Sequence, residues 1–297
     1  MPFAFLDHPR PAAFAHRGGA AHAPENSWRA FEHAVGLGYS YLETDVQATL
    51  DGALIAFHDR TLARVTGRPG RIARMNHRDV ASALIGGTEP IPLLEDLLGA
   101  WPDVRFNIDL KDAPAVEPLA AVLRRTGAWD RVCVTSFSAT RLRAARRVLD
   151  RQVCMAASPF GTALVRFGGP RGPRDHTRPG RAGTGRGSRS GPGQRRLSGE
   201  AARGGSLAAG RGAHLALAER LARTGVRCAQ VPAQVATPAF VARAHALGLH
   251  VHAWTINSPG LMQNLLDIGV DGIMTDETVA LRNVLLSRGE WHPRVAG

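Results

Sequence analysis

The sequence predicts an α/β protein with a (β/α)8 TIM barrel, in which eight parallel strands close into a ring inside a layer of helices. Short β-rich runs alternate along the chain with segments of helical periodicity, as in parallel α/β folds. Eight strand-like runs are present, which is the number that closes this barrel. Because a chain of 297 residues suits one barrel, we expect a single domain over residues 1–297.

The eight predicted strands are spread over the whole chain, with helical stretches in several of the gaps. The strands are residues 13–18, 40–46, 104–110, 131–137, 152–157, 226–232, 250–256 and 271–276. Regular apolar spacing predicts helices over residues 25–38, 115–127, 139–149 and 238–248. Asn26 or Ser27 is a suitable N-cap for the first helix, and Gly38 is a suitable end.

The connection between the second and third strands is unusually long. It runs from Asp51 to about Leu98, and its opening residues, DGALIAFHD, predict a hairpin-like extension. Loops at the C-terminal ends of barrel strands carry the chemistry in this architecture. We therefore predict a small insertion at the barrel mouth over residues 51–98, where it is a candidate active-site lid.

Residues 168–212 differ in composition from the rest of the chain. They contain fourteen glycines and ten arginines with almost no aliphatic periodicity, so we expect an irregular segment where the fifth helix belongs. Two hypotheses account for it: a long disordered loop, or a stretch of a GC-rich gene that is read out of frame. An arginine-rich RNA-binding tail is a third reading, which the lack of aromatic residues among the arginines disfavours.

Charge and composition narrow the function classes. The net charge is +12, but residues 168–212 carry +8 of it and the other 252 residues only +4. We therefore expect an anionic small molecule rather than a nucleic acid as partner. No apolar run reaches the roughly 18 residues of a membrane span, and the N-terminus lacks signal-peptide features, so we expect a cytoplasmic protein without stable membrane insertion. Cys133, Cys154 and Cys228 show no C-x-x-C spacing, which predicts reduced core thiols.

Two predicted strands end in residues that suit phosphate chemistry. His16 and Arg17 lie at the end of the first predicted strand, where an imidazole can move a proton and a guanidinium can bind phosphate. In the second strand, Glu43 and Asp45 are two positions apart, so their side chains share one face. Two converging carboxylates repel each other unless a cation lies between them, and oxygen ligands favour Mg²⁺ or Ca²⁺.

The third strand and the insertion add further groups at the same mouth. Asp109 and Lys111 share a face in N-I-D-L-K, and His58 lies in F-H-D on the insertion. Two histidines suit phosphodiester cleavage, because one can accept the proton of the attacking hydroxyl while the other protonates the departing alcohol. Asp59 is placed to orient His58 through its second ring nitrogen. Asp276 ends the last strand, where fixing the loop and contacting substrate are both open roles.

The ordered set of motifs resembles the glycerophosphodiester phosphodiesterase family. The matching elements span about Phe14 to Arg282, apart from residues 168–212. They are H-R-G (16–18), P-E-N-S (24–27), E-T-D (43–45), H-D (58–59), N-I-D-L-K (107–111), S-F (136–137), W-T-I-N (254–257) and G-V-D-G-I-M-T-D (269–276).

The resemblance implies a barrel that hydrolyses glycerophosphodiesters to sn-glycerol 3-phosphate and an alcohol. His16 and His58 would form the acid–base pair. Glu43, Asp45 and Asp109 would hold a divalent cation, Mg²⁺ or Ca²⁺. The family usually has glutamate at the position of Asp109, and the side chain shorter by one methylene predicts weaker binding of the cation.

The resemblance also assigns supporting roles around the metal and the substrate. Arg17 and Lys111 would contact the phosphate, and Glu25 and Asn26 would support the metal side of the site. Trp254 looks like the aromatic wall against the glycerol or alcohol group. The oligomeric state does not follow from the sequence.

Two other functions compete with this assignment. A related phospholipase D-like or phosphoinositide-cleaving barrel would use similar histidines on a lipid. It would need exposed apolar loops at the mouth, and the sequence shows none. A catalytically impaired barrel acting as a binding protein is suggested by Asp109 and by the disrupted fifth helix. The retention of both histidines and of Glu43 and Asp45 argues against it.

Overall fold

Eight parallel strands form a closed barrel, which confirms the predicted fold class. The computed structural model describes residues 3–149, 153–157 and 202–294, with the backbone alone for residues 202–211. Its strands in chain order are β1 (Ala12–Ala15), β2 (Tyr41–Ala48), β3 (Leu54–Ala56), β4 (Leu84–Ile85), β5 (Glu89–Pro90), β6 (Arg105–Leu110), β7 (Val132–Thr135), β8 (Cys154–Ala157), β9 (Cys228–Pro232), β10 (His250–Trp254) and β11 (Gly272–Thr275).

The barrel closes because the first strand pairs on both sides. β1 lies parallel to β2 and also parallel to β11, and the order around the ring is β1, β2, β6, β7, β8, β9, β10, β11. In this register Asp45 of β2 lies beside Asp109 of β6. Two of the predicted acidic residues are therefore neighbours at the same height in the wall.

Helices cover the outside of the barrel over the described part of the chain, except for the second and third in chain order, which lie in the insertion. They are α1 (Trp28–Gly36), α2 (Ala63–Thr66), α3 (His77–Ala81), α4 (Leu94–Ala100), α5 (Val116–Thr126), α6 (Ala139–Val148), α7 (Ala202–Arg223), α8 (Pro238–Ala246), α9 (Pro259–Asp267) and α10 (Thr278–Ser287). Ser27 is the N-cap of α1, where its hydroxyl accepts a hydrogen bond of 3.2 Å from the amide of Ala30. The helices pack on the strands through one continuous apolar core, which includes Phe31, Leu119 and Phe240. No described helix is long and apolar enough to cross a membrane.

The first strand is shorter than predicted. It ends at Ala15, and His16–Gly18 form a 3₁₀ turn in which Arg17 has a φ of 50° and Gly18 a φ of 83°. The Cβ position of Gly18 would lie 2.8 Å from the Cβ of Ala30. Only a residue without a side chain therefore allows this turn to pack on α1.

The insertion has its own small core. β3 runs antiparallel to β2, and Ile55, Phe57 and Ile72 belong to a cluster that is separate from the main core. Leu94 and Leu97–Leu98 pack in the main core instead. The amphipathic stretch that opens α4 therefore covers the barrel wall.

A helix occupies the position for which the sequence predicted an irregular segment. Residues 168–201 of that segment lie outside the described residues, but α7 begins at Ala202, so the prediction was wrong for residues 202–212. Leu217, Ala218 and Leu221 are buried against the barrel. Since packing of an apolar face stabilises a helix more than propensity does, the downstream residues can support helix in the adjoining glycine-containing turns.

The lower barrel interior is filled by apolar side chains and by the three cysteines. Cys133, Cys154 and Cys228 are buried and free, and the sulfur atoms of Cys154 and Cys228 are 3.8 Å apart. Phe5 closes the barrel bottom, where its carbonyl accepts a 2.6 Å hydrogen bond from the hydroxyl of Tyr41. The bottom is thus a packed layer, whereas the mouth is polar.

Candidate active site

His16 is held between two carboxylates at the barrel mouth. Its Nδ1 lies 2.7 Å from Oδ1 of Asp276, and its Nε2 lies 3.8 Å from Oε2 of Glu43. Burial lowers the pKa of His16, but the charge of Glu43 and the hydrogen bond to Asp276 outweigh burial and raise it. The imidazole therefore favours its protonated form more than a free histidine does.

Burial works in the opposite direction on Glu43. It raises the pKa of this carboxyl to about 7, against the lowering effect of His16. The backbone amide of Arg17 donates a 3.0 Å hydrogen bond to Oε2 of Glu43. The left-handed turn at Arg17 thus brings a main-chain donor to this carboxylate.

Asp45 and Asp109 are bridged by a lysine. The Nζ of Lys111 lies 2.7 Å from Oδ1 of Asp45 and 2.6 Å from Oδ2 of Asp109. Burial would raise the pKa of Asp45, but Lys111 and Arg17 hold it at about 2. Burial raises the pKa of Asp109 to about 6, although Lys111 opposes the shift. Of the two, Asp45 is the more strongly stabilised anion.

The predicted supporting residues lie around Arg17 and Asp45. The Nδ2 of Asn26 donates a 3.0 Å hydrogen bond to Oδ2 of Asp45, whose same oxygen lies 3.0 Å from Nε of Arg17. Oε1 of Glu25 lies 3.0 Å from Nη1 of Arg17. Asn26 therefore contacts a predicted metal ligand, whereas Glu25 contacts the predicted phosphate-binding arginine.

His58 reaches the site from the insertion and is held by its neighbour in sequence. Its Nδ1 lies 2.6 Å from Oδ1 of Asp59, and Arg64 bridges Asp59 to Glu25 with Nη2–Oε1 at 2.5 Å. The side-chain Nε2 of Gln47 in β2 donates a 3.0 Å hydrogen bond to the backbone carbonyl of His58. These contacts tie the insertion to the barrel at the level of the histidine.

These groups line one cavity of about 390 Å³ at the mouth. Trp254 and Phe137 both line this cavity, and their rings meet edge to face at 5.5 Å between centroids. Each of the following predicted residues lines the cavity: His16, Arg17, Glu43, Asp45, His58, Asp109, Lys111 and Trp254. A volume of this size accommodates a small polar ligand.

The chemistry of the carboxylates fits an oxygen-preferring cation. The three carboxylates of Glu43, Asp45 and Asp109 are buried. Oδ1 of Asp109 accepts no hydrogen bond from a described residue. Among the described residues, however, only the cysteine cluster brings three ligand atoms within 4.8 Å of one another. The cationic groups of Lys111 and Arg17 lie among the carboxylates in this structure.

Two residues make contacts at the site that the sequence did not predict. Asp276 orients His16, and Nδ2 of Asn257 in turn donates a 2.9 Å hydrogen bond to Oδ2 of Asp276. Arg64 was not singled out in the sequence because an exposed arginine on a short helix carries no signal of its own. Both residues become identifiable only when the ends of the chain and the insertion are brought together.

A closed parallel barrel with these groups at the C-terminal ends of its strands is the architecture of an enzyme. Residues 16–159 and 208–280 match the glycerophosphoryl diester phosphodiesterase family. A probable glycerophosphodiester phosphodiesterase 2 of Mycobacterium tuberculosis is 39% identical over 293 residues, which are 97% of this chain and 95% of that protein. The chain belongs to the glycerophosphoryl diester phosphodiesterase family, whose members hydrolyse glycerophosphodiesters.

Solved structures share the fold. A putative glycerophosphoryl diester phosphodiesterase from Silicibacter pomeroyi has a TM-score of 0.75 at 22% identity, covering 98% of this chain and 100% of that one. A phosphodiesterase from Oleispira antarctica, solved with the product sn-glycerol-3-phosphate, has a TM-score of 0.69 at 20% identity, covering 93% and 97%.

Proposed function

We propose that this enzyme hydrolyses small-molecule glycerophosphodiesters to sn-glycerol 3-phosphate and an alcohol, using His16 and His58 for proton transfer and a divalent cation, Mg²⁺ or Ca²⁺. The observation that carries the proposal is the pairing of each imidazole with a carboxylate beside one cavity. Asp276 lies at Nδ1 of His16 and Asp59 at Nδ1 of His58. In both rings Nε2 is the nitrogen left to exchange a proton with substrate.

The surroundings of the two histidines suggest different roles. The raised pKa of His16 favours a group that holds a proton at neutral pH and gives it to the departing alcohol. His58 then accepts a proton from the attacking water, whose oxygen bonds to phosphorus as the bond to the departing alcohol breaks, and Asp59 stabilises the imidazolium that forms. A general acid with a raised pKa and a base beside a carboxylate complement each other near neutral pH.

Arg17 and Lys111 supply positive charge for the phosphoryl group, and Trp254 forms an apolar wall against the glycerol or alcohol group. The carboxylates of Glu43, Asp45 and Asp109 are the proposed ligands of the cation. When bound, a divalent cation supplies Lewis-acid stabilisation of the phosphoryl oxygens. In this structure Arg17 and Lys111 balance the charge of two of these carboxylates, Asp45 and Asp109.

Release of glycerol 3-phosphate from glycerophosphocholine tests the activity directly. We expect turnover that a chelator abolishes and that Mg²⁺ or Ca²⁺ restores. Chelator-insensitive turnover would contradict the metal mechanism. No turnover by folded protein would favour the binding-protein alternative, and faster turnover of a lysophospholipid than of glycerophosphocholine would favour the phospholipase D-like one.

Variants of the two histidines test the acid–base roles. His16→Ala and His58→Ala should each lower kcat by roughly 10²–10⁴-fold, while the unfolding midpoint stays near that of the parent. His77→Ala is the matched control, because His77 also lies in the insertion but does not line the cavity. Full activity of His58→Ala would remove the acid–base proposal. The cytoplasmic location stays a prediction from the sequence.

A further inference from the structure

A second cavity of about 370 Å³ lies beside the catalytic one and is strongly basic. We call it the arginine cleft, lined by Arg60, Arg71 and Arg141 with Lys111 and Asp112. Lys111 lines both cavities, so the two are adjacent at the mouth. Lys111 is paired with Asp45 and Asp109, but three arginines against the single carboxylate of Asp112 still give the cleft a positive potential next to the proposed phosphate position.

The backbone holds two of the arginines side by side. Thr61 and Arg71 form an antiparallel bridge, the amide of Ile72 donates a 3.1 Å hydrogen bond to the carbonyl of Arg60, and Leu62 donates a 3.0 Å bond to Gly70. Leu62 and Ile72 are fully buried in the insertion core. The positions of Arg60 and Arg71 on the rim are therefore fixed before any ligand arrives.

The charge of these arginines is available for a ligand. Among the described residues, Arg60, Arg71 and Arg141 have no carboxylate within ion-pair distance, whereas Arg64 of the same insertion pairs with Glu25 and Asp59. Arg141 reaches the cleft from the first turn of α6, where its guanidinium donates a hydrogen bond to the carbonyl of Leu110. Guanidinium groups favour phosphate and carboxylate, which they bind through paired hydrogen bonds.

We propose that the arginine cleft binds an anionic group, a phosphate monoester or a carboxylate, carried by the alcohol portion of the substrate. The inference rests on the proposed phosphodiesterase function and names the substrate class that this site selects. A diester lying across Lys111 would place its phosphodiester in the catalytic cavity and its terminal anion among the arginines. A volume of 370 Å³ is sufficient for a phosphorylated polyol.

The test compares two diesters that differ in one charged group: glycerophosphoglycerol and the same compound with a terminal phosphate monoester. We expect a higher kcat/KM for the phosphorylated diester. The double variant Arg60→Ala/Arg71→Ala should lower kcat/KM for that diester roughly tenfold or more and leave the value for glycerophosphoglycerol unchanged. Arg78→Ala is the control, because Arg78 is an exposed arginine of the insertion that does not line the cleft.

The outcomes separate this inference from the proposed function. Turnover of both diesters with equal kcat/KM, unaffected by the double variant, would overturn the cleft while leaving the phosphodiesterase intact. Absence of turnover would contradict the proposed function. The affinities of the parent and the double variant for the phosphorylated diester, measured by calorimetry, would then test the cleft. Equal affinity of the parent and the double variant would overturn it, and weaker binding by the double variant would support it. Added salt should reduce the preference, because screening weakens exposed charge pairs.

Discussion

Replacing Gly18 by alanine should destabilise the protein more than the same change at another glycine with the same backbone angle. Gly18 has a φ of +83°, and its new Cβ would lie 2.8 Å from the Cβ of Ala30 and from the amide nitrogen of Phe31. Gly52 has a φ of +82° and nothing within 4 Å of the same position. The two glycines therefore share a backbone conformation and differ in packing.

Comparing Gly18→Ala with Gly52→Ala separates the cost of backbone strain from the cost of overpacking. An L-residue in the left-handed region costs about 1–2 kcal/mol, which should be the whole loss of unfolding free energy in Gly52→Ala. Gly18→Ala adds overpacking against the backbone of α1, which costs about 1–3 kcal/mol. We therefore expect a loss of about 2–5 kcal/mol at Gly18.

Denaturant unfolding of both variants measures these losses, and kcat/KM reports on the turn itself. Because Gly18 follows His16 and Arg17 directly, a shifted turn should lower kcat/KM in Gly18→Ala and leave it unchanged in Gly52→Ala. Equal losses of unfolding free energy in the two variants would refute the steric argument, since only the shared backbone angle would then matter.

Three further changes are expected to have measurable effects. Ser27→Ala removes the N-cap of α1 and should lower the unfolding free energy by about 1 kcal/mol; a Ser27→Asn variant that is no more stable than Ser27→Ala would contradict this. Burial lowers the pKa of His252 from 6.5 to about 4, so between these pH values the unfolded chain binds a proton that the native protein does not. The free energy of unfolding should therefore fall by up to about 3 kcal/mol as the pH drops through this window. His252→Gln should flatten this part of the plot of unfolding free energy against pH. An unaltered plot would show that His252 does not cause the pH dependence. Asp109→Glu extends the carboxylate by one methylene and should lower the cation concentration needed for half-maximal turnover, whereas unchanged metal dependence would count against Asp109 as a ligand.

The sequence predicts the barrel well because its strands are locally encoded. Each of the eight predicted runs overlaps an observed barrel strand, and six of them contain it completely. Ser27 caps the helix that its position suggested. The errors arise where tertiary contacts override local pattern. His16–Gly18 continue a β-rich run but leave the strand, because the turn packs on α1. Residues 202–212 are helical although their glycine content predicts otherwise.

The site was predictable in its members but not in its contacts. Eight of the predicted residues line one cavity, because their motifs lie at the C-terminal ends of strands that share a mouth. The bridge of Lys111 between Asp45 and Asp109 depends on strand register, which the spacing within one strand does not define. The contact of Asp276 with His16 likewise depends on how the two ends of the chain meet.

The pairing of β1 with β11 has a consequence for folding. The barrel cannot close until residues 272–275 are available to pair with β1, so a growing or truncated chain leaves the edges of β1 and β10 exposed. The same late contact brings Asp276 to His16 across 260 positions of sequence. Recovery of enzymatic turnover during refolding should therefore follow ring closure rather than the earlier appearance of helices, since such long-range contacts form slowly.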